Sequence, residues 1–204
     1  EEVPKLPGLV PGVDAAGQVI QLILASASPR RKLLLKQFKI PFTVVPSRMF
    51  EPPPGILDPV TYARRLALAK ARVVAKQAGT GWVLGADTVV VLKGEILGKP
   101  DDLGSGIRML SRLQGTTHKV ITAVALVDAA TGKEKVVHAV STVTMKPLSL
   151  KEIVRIAPKH LDKAGGYAAQ EKKDPVIKKV VGSYTNVVGL PMELVKKLLK
   201  SLPK

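Results

Sequence analysis

Residues 19–38 read VIQLILASASPRRKLLLKQF, and the order of residue types in this stretch decides the fold class. Val19 to Ala25 is a short apolar run of the kind that forms a buried strand. Ser26-Ala27-Ser28-Pro29 interrupts it. Ser28 has a side chain suited to an N-cap, and Pro29, which has no N–H to leave unpaired, suits the first helical position. Leu33, Leu34, Leu35 and Phe38 then supply the apolar face of a helix, so the stretch predicts strand, turn and helix in succession.

The same alternation continues outward from it. A strand is expected over Phe42 to Val45, followed by a proline-rich loop, Ser47 to Gly55, that excludes regular structure. Pro59 opens a helix to about Ala78, ended by Gly79, with Tyr62, Leu66 and Val73 at helical spacing and Lys70 in the same stripe. Trp82 to Leu92 (WVLGADTVVVL) reads as an apolar strand, and Lys93-Gly94 turns it into Glu95 to Leu97. A helix is expected over Leu103 to Leu113, strands over His118 to Val127 and Lys135 to Met145 with a turn at Ala130 to Gly132, and a helix from the cap at Ser149 to about Ile156. Val176 to Val181 is a further strand and Pro191 starts a last helix. Strands alternating with helices predict an α/β protein with a mixed sheet and flanking helices. Residues 1–18 mix proline, glycine and isolated apolar residues without period and read as a flexible extension; residues 19–204 read as the folded domain.

Composition bounds what such a domain can do. With 46% hydrophobic and 24% charged residues the 204-residue chain has enough apolar surface to offset the entropy of ordering, which argues against long-range disorder. No apolar run reaches the roughly 18 residues a bilayer span requires, and the first twenty residues lack a basic start with an apolar stretch. A cytoplasmic protein with no membrane partner is therefore expected. The absence of cysteine excludes disulfides, thiol catalysis and zinc-thiolate sites. The net charge of +16 favours anionic partners, whether nucleic acid, an acidic surface or a phosphate-bearing small molecule. Base-stacking nucleic-acid binders usually supply aromatics, and only 3% of this chain is aromatic, which argues against nucleic acid.

Several groups could carry chemistry. In Ser26-Ala27-Ser28-Pro29-Arg30-Arg31, a helix N-terminus with its unpaired N–H groups is combined with two hydroxyls and two guanidinium groups, which together suit phosphate oxygens. Each charge-assisted contact contributes about 1.5–3 kcal/mol where water is excluded. Asp87, in Gly85-Ala86-Asp87-Thr88, sits inside an apolar strand, where a carboxylate is costly unless it binds a cation, pairs with one or acts as a base. Gly85 would let a ligand approach the backbone closely. Lys70 in the helix stripe reads either as an inward amine or as a snorkelling one. Gly98-Lys99-Pro100 holds a lysine between turn residues, and Glu51 is a loop acid. The stretch from Gly165-Gly166-Tyr167 through Gln170 to Gly182–Pro191 (GSYTNVVGLP) offers Ser, Thr and Asn side chains that either read a base or sugar or build a structural loop.

Taken in order, SASPRR (26–31), LALAKA (66–71), GADT (85–88), GKP (98–100), LDKAGGY (161–167) and GSYTNVVGLP (182–191) resemble the Maf family of nucleotide pyrophosphatases over about Leu22 to Leu199. The resemblance implies a mixed α/β fold with two lobes around a central cleft, similar to the inosine triphosphatase architecture, and hydrolysis of nucleoside triphosphates to monophosphate and pyrophosphate. It implies phosphate binding by Ser26, Ser28 and Arg31, contacts from Lys70 and Lys99 to the triphosphate, Asp87 as the catalytic acid residue, and Glu51 with Asp87 as ligands of Mg²⁺, with Mn²⁺ as a substitute. Arg30, Thr88 and Gln170 match the subtype resembling a dTTP/UTP pyrophosphatase, whose substrates would include modified pyrimidine nucleotides; a side-chain amide such as Gln170 pairs with the edge of uracil or thymine. Homodimers are common among such relatives. Phe50, where an acid is usual, and Glu171, where glycine is usual, depart from the pattern. The alternative is a nucleic-acid-binding or septum-associated regulatory protein that keeps a nucleotide cleft and uses its basic surface.

Overall fold

The computed structural model describes residues 12–13, 19–169 and 176–202. The stretch expected to be one strand is divided at Gln21: Val19–Ile20 (β2) pairs antiparallel with Gly12–Val13 (β1), whereas Leu22–Leu24 (β3) enters the main sheet. A short strand pair therefore forms where the sequence showed only an extension. The helix Pro29–Gln37 (α1) follows with Ser28 at its N-cap, and it buries Leu34 and Leu35. Each such leucine contributes about 1.5–3 kcal/mol on leaving water.

The main sheet has the order β4 (Thr43–Val44), β3, β5 (Trp82–Leu92), β7 (Thr117–Asp128), β8 (Glu134–Met145) and β9 (Ile177–Val181), with β6 (Glu95–Leu97) also paired to β5. β4, β3 and β5 run parallel, while β5 pairs antiparallel with β6 and β7, and the remaining neighbours are antiparallel. This is the mixed α/β sheet the sequence predicts. Among the described residues, no helix is long and apolar enough to cross a membrane.

Period-two alternation along β5 sorts the core. Val83, Val89 and Val91 face the helix Pro59–Ala78 (α2) through Ala63, Ala67, Ala71 and Val74. α2 begins where Asp58 accepts from the N–H groups of Val60 and Thr61, with Pro59 behind the cap, and ends at Gly79 with φ of 69°. Its inward face is Ala63, Leu66, Ala67, Lys70, Ala71, Val74 and Ala75; Val73, expected in the stripe, is only half-buried.

The opposite face of the sheet carries two separate apolar clusters. Leu84 and Ala86 pack with α1 and the last helix Met192–Lys200 (α6), whereas Val90 and Leu92 pack with the helices Leu103–Leu113 (α3) and Leu150–Ile156 (α4). Thr88 falls between them on β5, and its register partner on β7 is Thr122, which falls between Val120 of one cluster and Val124 of the other. The two lobes expected from the resemblance thus meet at a polar seam.

Candidate active site

A gap in strand pairing creates the cleft. On the edge of β5 away from β7, β3 pairs with Trp82, Val83 and Leu84, and β6 pairs with Val90, Val91 and Leu92. Among the described residues, no strand pairs with residues 85–89 on that side. The chain leaves β3 at Ala25, whose N–H donates to the Leu84 carbonyl at 2.9 Å, and turns through Ser26 to Ser28 into α1. The N-terminus of α1 is thereby placed beside Asp87 and Thr88, and a cavity of about 740 Å³ opens between them. That lies within the range of about 300–1,000 Å³ typical of small-molecule sites.

Asp87 points from β5 toward α2. Its Oδ1 accepts from Lys70 Nζ at 2.7 Å, and Glu51 Oε1 lies 2.9 Å from the same ammonium. Lys70 is 8% exposed, so it does not snorkel; it is buried between two acids. The glycine at 85 makes this geometry attainable. A Cβ there would lie 2.2 Å from the Ala67 carbonyl oxygen and 2.8 Å from the Ala71 N, so what approaches the backbone at Gly85 is α2 itself, not a ligand. Tyr62, one of the stripe residues, donates its hydroxyl proton to the Pro52 carbonyl at 2.8 Å and ties the proline-rich loop to α2, which brings Glu51 over Lys70.

The electrostatics keep Glu51 ionised. Burial pulls its carboxyl upward, but the hydrogen bond and charge of Lys70, with the charges of Lys99 and Arg31, outweigh that and hold it below the usual glutamate range. Burial also lowers Arg31, opposed by the attraction of Asp87 and Glu51.

Arg31 is fixed on three sides. Its Nε donates to the Gly189 carbonyl at 2.9 Å, Nη1 to Ser26 Oγ at 3.0 Å and Nη2 to Thr88 Oγ1 at 3.1 Å. A guanidinium carries five N–H donors, so two remain for a ligand. Ser26 Oγ also accepts from the Ser28 N–H at 3.3 Å and shapes the turn. Ser28 occupies the N-cap as expected, yet its side chain makes no capping hydrogen bond. The first N–H groups of α1 therefore keep their capacity for an anion.

The remaining sequence candidates are distributed as follows. Arg30 lines the cleft with a long contact of 3.9 Å to Asp162, and Lys99 is exposed on the cleft rim. Thr88 lies on the face of β5 opposite Asp87 and is held by Arg31 and Thr122. Gln170 lies outside the described residues, as do Glu171 and residues 172–175. Phe50 is 81% exposed and does not line the cleft.

Sequence reasoning missed other lining residues. Arg48, Asp101, Asp162 and Lys163 also face the cavity, giving, among the described residues, six basic side chains (Arg30, Arg31, Arg48, Lys70, Lys99, Lys163) against four acidic ones (Glu51, Asp87, Asp101, Asp162). Arg48 sits in an irregular loop with φ of 45°, where no periodicity could flag it. The GSYTNVVGLP segment is a five-residue helix, Tyr184–Val188 (α5), rather than a reading loop. Ser183 caps it, Thr185 contacts Glu193 and the Met192 N–H, and Asn186 is wholly buried, so these side chains are used in the scaffold.

Fold and site together define an α/β protein with a cleft rich in cationic side chains whose floor is an acid–lysine–acid cluster. Residues 21–202 match the family described as Maf-like protein. The chain is 46% identical over 181 residues to a dTTP/UTP pyrophosphatase of Moorella thermoacetica, covering 88% of this chain and 93% of that one. It is 44% identical over 182 residues to a dTTP/UTP pyrophosphatase of Pelotomaculum thermopropionicum (88% and 95%), and 40% identical over 181 residues to one of Elusimicrobium minutum (89% and 98%). The chain belongs to the Maf-like family.

Proposed function

We propose that this protein hydrolyses nucleoside triphosphates, preferring dTTP, UTP and modified pyrimidine nucleotides, to the monophosphate and pyrophosphate. The observation that carries the reading is Lys70 held between Asp87 and Glu51 at the floor of a cationic cleft, beside an immobilised Arg31. The relatives' names supply the substrate class.

In this reading the α1 N-terminus, Arg31 and Lys99 bind the phosphate chain and lay it across the cleft. Asp87 orients a water molecule and takes its proton, while the water oxygen bonds to the α-phosphorus. The bond from that phosphorus to the bridging oxygen breaks, and pyrophosphate departs with the bridging oxygen. Lys70 helps hold Glu51 ionised and offsets the repulsion of the two acids toward the phosphates.

The donor set fits a hard divalent cation. Among the described residues, Asp87 and Glu51 converge on one ammonium through one oxygen each, and Asp87 Oδ2 and Glu51 Oε2 accept no hydrogen bond. Mg²⁺ is commonly held by one or two carboxylates together with substrate phosphates, so the lack of a third acidic ligand among the described residues is no obstacle. Asp87 and Glu51 would hold Mg²⁺ or Mn²⁺, and the bound ion would neutralise charge developing on the phosphates.

The test is pyrophosphate release from a panel of nucleoside triphosphates with Mg²⁺ or Mn²⁺. Turnover favouring dTTP and UTP is expected. No turnover of any triphosphate would overturn the proposal.

A further inference from the structure

The polar seam contains a chain of hydrogen bonds whose direction follows from counting protons. Arg31 Nη2 has no lone pair to offer and donates to Thr88 Oγ1 at 3.1 Å. At the other end, Thr122 Oγ1 lies 2.9 Å from the Asn186 carbonyl, which can only accept, so the single Thr122 hydroxyl proton is spent there. Thr88 Oγ1 and Thr122 Oγ1 are 3.0 Å apart, and with the Thr122 proton committed, Thr88 must be the donor. The order is therefore Arg31 to Thr88 to Thr122 to Asn186, each hydroxyl receiving one hydrogen bond and giving one. Such a chain is cooperative, and it begins at a cation.

The far end of the chain is rigid. Asn186 is wholly buried, and its Nδ2 donates to the Val120 carbonyl at 3.0 Å and to Ser141 Oγ at 2.8 Å. Ser141 Oγ in turn donates to the Ser183 carbonyl at 2.9 Å. Three residues after Asn186, Gly189 accepts from Arg31 Nε at 2.9 Å. The same short helix thus grips the guanidinium twice, once through its following carbonyl and once through the two threonines. Thr122 is 0% exposed and lines no part of the cleft, so it cannot touch a ligand.

We propose that Thr122 is a positioning residue for the phosphate-binding cleft: through Thr88 it sets the orientation of the Arg31 guanidinium, and Thr88 acts as the intermediate link in place of a substrate reader. The proposal rests on the phosphate-binding role given to Arg31 above. Because the Thr88 proton is already used, Thr88 can serve a ligand as donor only by breaking the chain.

Thr122→Val keeps the shape and removes the hydroxyl, and Thr122→Ser keeps the hydroxyl. Two readouts are compared: pyrophosphate affinity by calorimetry, and kcat and KM for dTTP. Losing one charge-linked hydrogen bond corresponds to roughly a tenfold loss, so Thr122→Val is expected to weaken pyrophosphate binding and raise KM about tenfold, with Thr122→Ser close to wild type. In an Arg31→Ala background Thr122→Val is expected to add little, because the link has nothing left to orient. Thr88→Val, which breaks the chain at its other link and borders the cleft, is expected to give the same loss and serves if Thr122→Val does not fold. Unchanged affinity and KM in both valine variants, or an undiminished Thr122→Val effect without Arg31, would overturn the proposal. Wild-type protein that binds pyrophosphate but hydrolyses no triphosphate would reject the hydrolase reading, and a weakened affinity in Thr122→Val would then still support the positioning role.

Discussion

Replacing Lys70 by Met tests the acid–lysine–acid cluster, because it removes the cation while nearly preserving side-chain volume and helix propensity. Lys70 and Asp87 are 8% and 6% exposed, and Glu51 lies against the same ammonium. Removing one partner from a buried ion pair costs about 3–5 kcal/mol, a large part of the roughly 5–15 kcal/mol that holds a domain of this kind together. The variant is expected to fold with a Tm lower by on the order of 10 °C. The pH dependence is the sharper signature. In the wild type Glu51 sits below the usual glutamate range, so its contribution is present above that range and is lost as pH falls through the lowered value. In the variant the two largest lowering influences are gone and burial favours the neutral acid. The penalty at Glu51 then stands at neutral pH and is relieved as that carboxylate takes up its proton. Thermal denaturation of both proteins from about pH 8 down to about pH 4.5 should show the gap narrowing toward acid, and the acid limb of kcat/KM should move to higher pH. A deficit that stays constant with pH, or none at all, would refute the assignment of Lys70 as the counter-ion of this acid pair.

Asp87→Asn is expected to lower kcat about 10²- to 10⁴-fold if Asp87 is the base, and turnover at the wild-type rate would remove it from the mechanism. His118, 3% exposed and hydrogen-bonded through Nε2 to the Tyr167 hydroxyl at 2.7 Å, is pushed by burial from the ordinary 6.5 to about 4. Folding therefore loses stability as pH falls from 6.5 toward 4, by on the order of 3 kcal/mol; His118→Gln should flatten that part of the profile in denaturant titrations, and an unchanged slope would contradict it. Arg48→Gly should raise stability by about 1 kcal/mol, since glycine adopts positive φ without steric cost, and a lower Tm would show that the arginine contacts outweigh its backbone strain.

Local chemistry made much of this architecture readable. Pro59 and Gly79 bound α2 in the sequence as they do in space, and an aspartate inside WVLGADTVVVL could not be explained as surface. Lys70 was ambiguous because a helix stripe shows which side chains share a face but not what that face meets. Its partners, Glu51 and Asp87, come from a loop without period and from a strand; the close packing at Gly85 brings the strand to α2, and the Tyr62 hydrogen bond to Pro52 brings the loop. Thr88 entered the sequence reading only through the resemblance, and its engagement by Arg31 and Thr122 depends on a cross-strand register that sequence does not display. α5 was hidden for a different reason: five residues make too short a helix to show a repeat, and its Ser, Thr and Asn look the same whether they cap, bury or bind.

Hydrolysis of UTP or dTTP in oxygen-18 water, followed by mass analysis of both products, tests the central claim most directly. Attack on the α-phosphorus places one labelled oxygen in the nucleoside monophosphate and leaves the pyrophosphate unlabelled. Label in the pyrophosphate, or release of orthophosphate as the first product, would contradict the chemistry assigned to the Asp87–Lys70–Glu51 cleft.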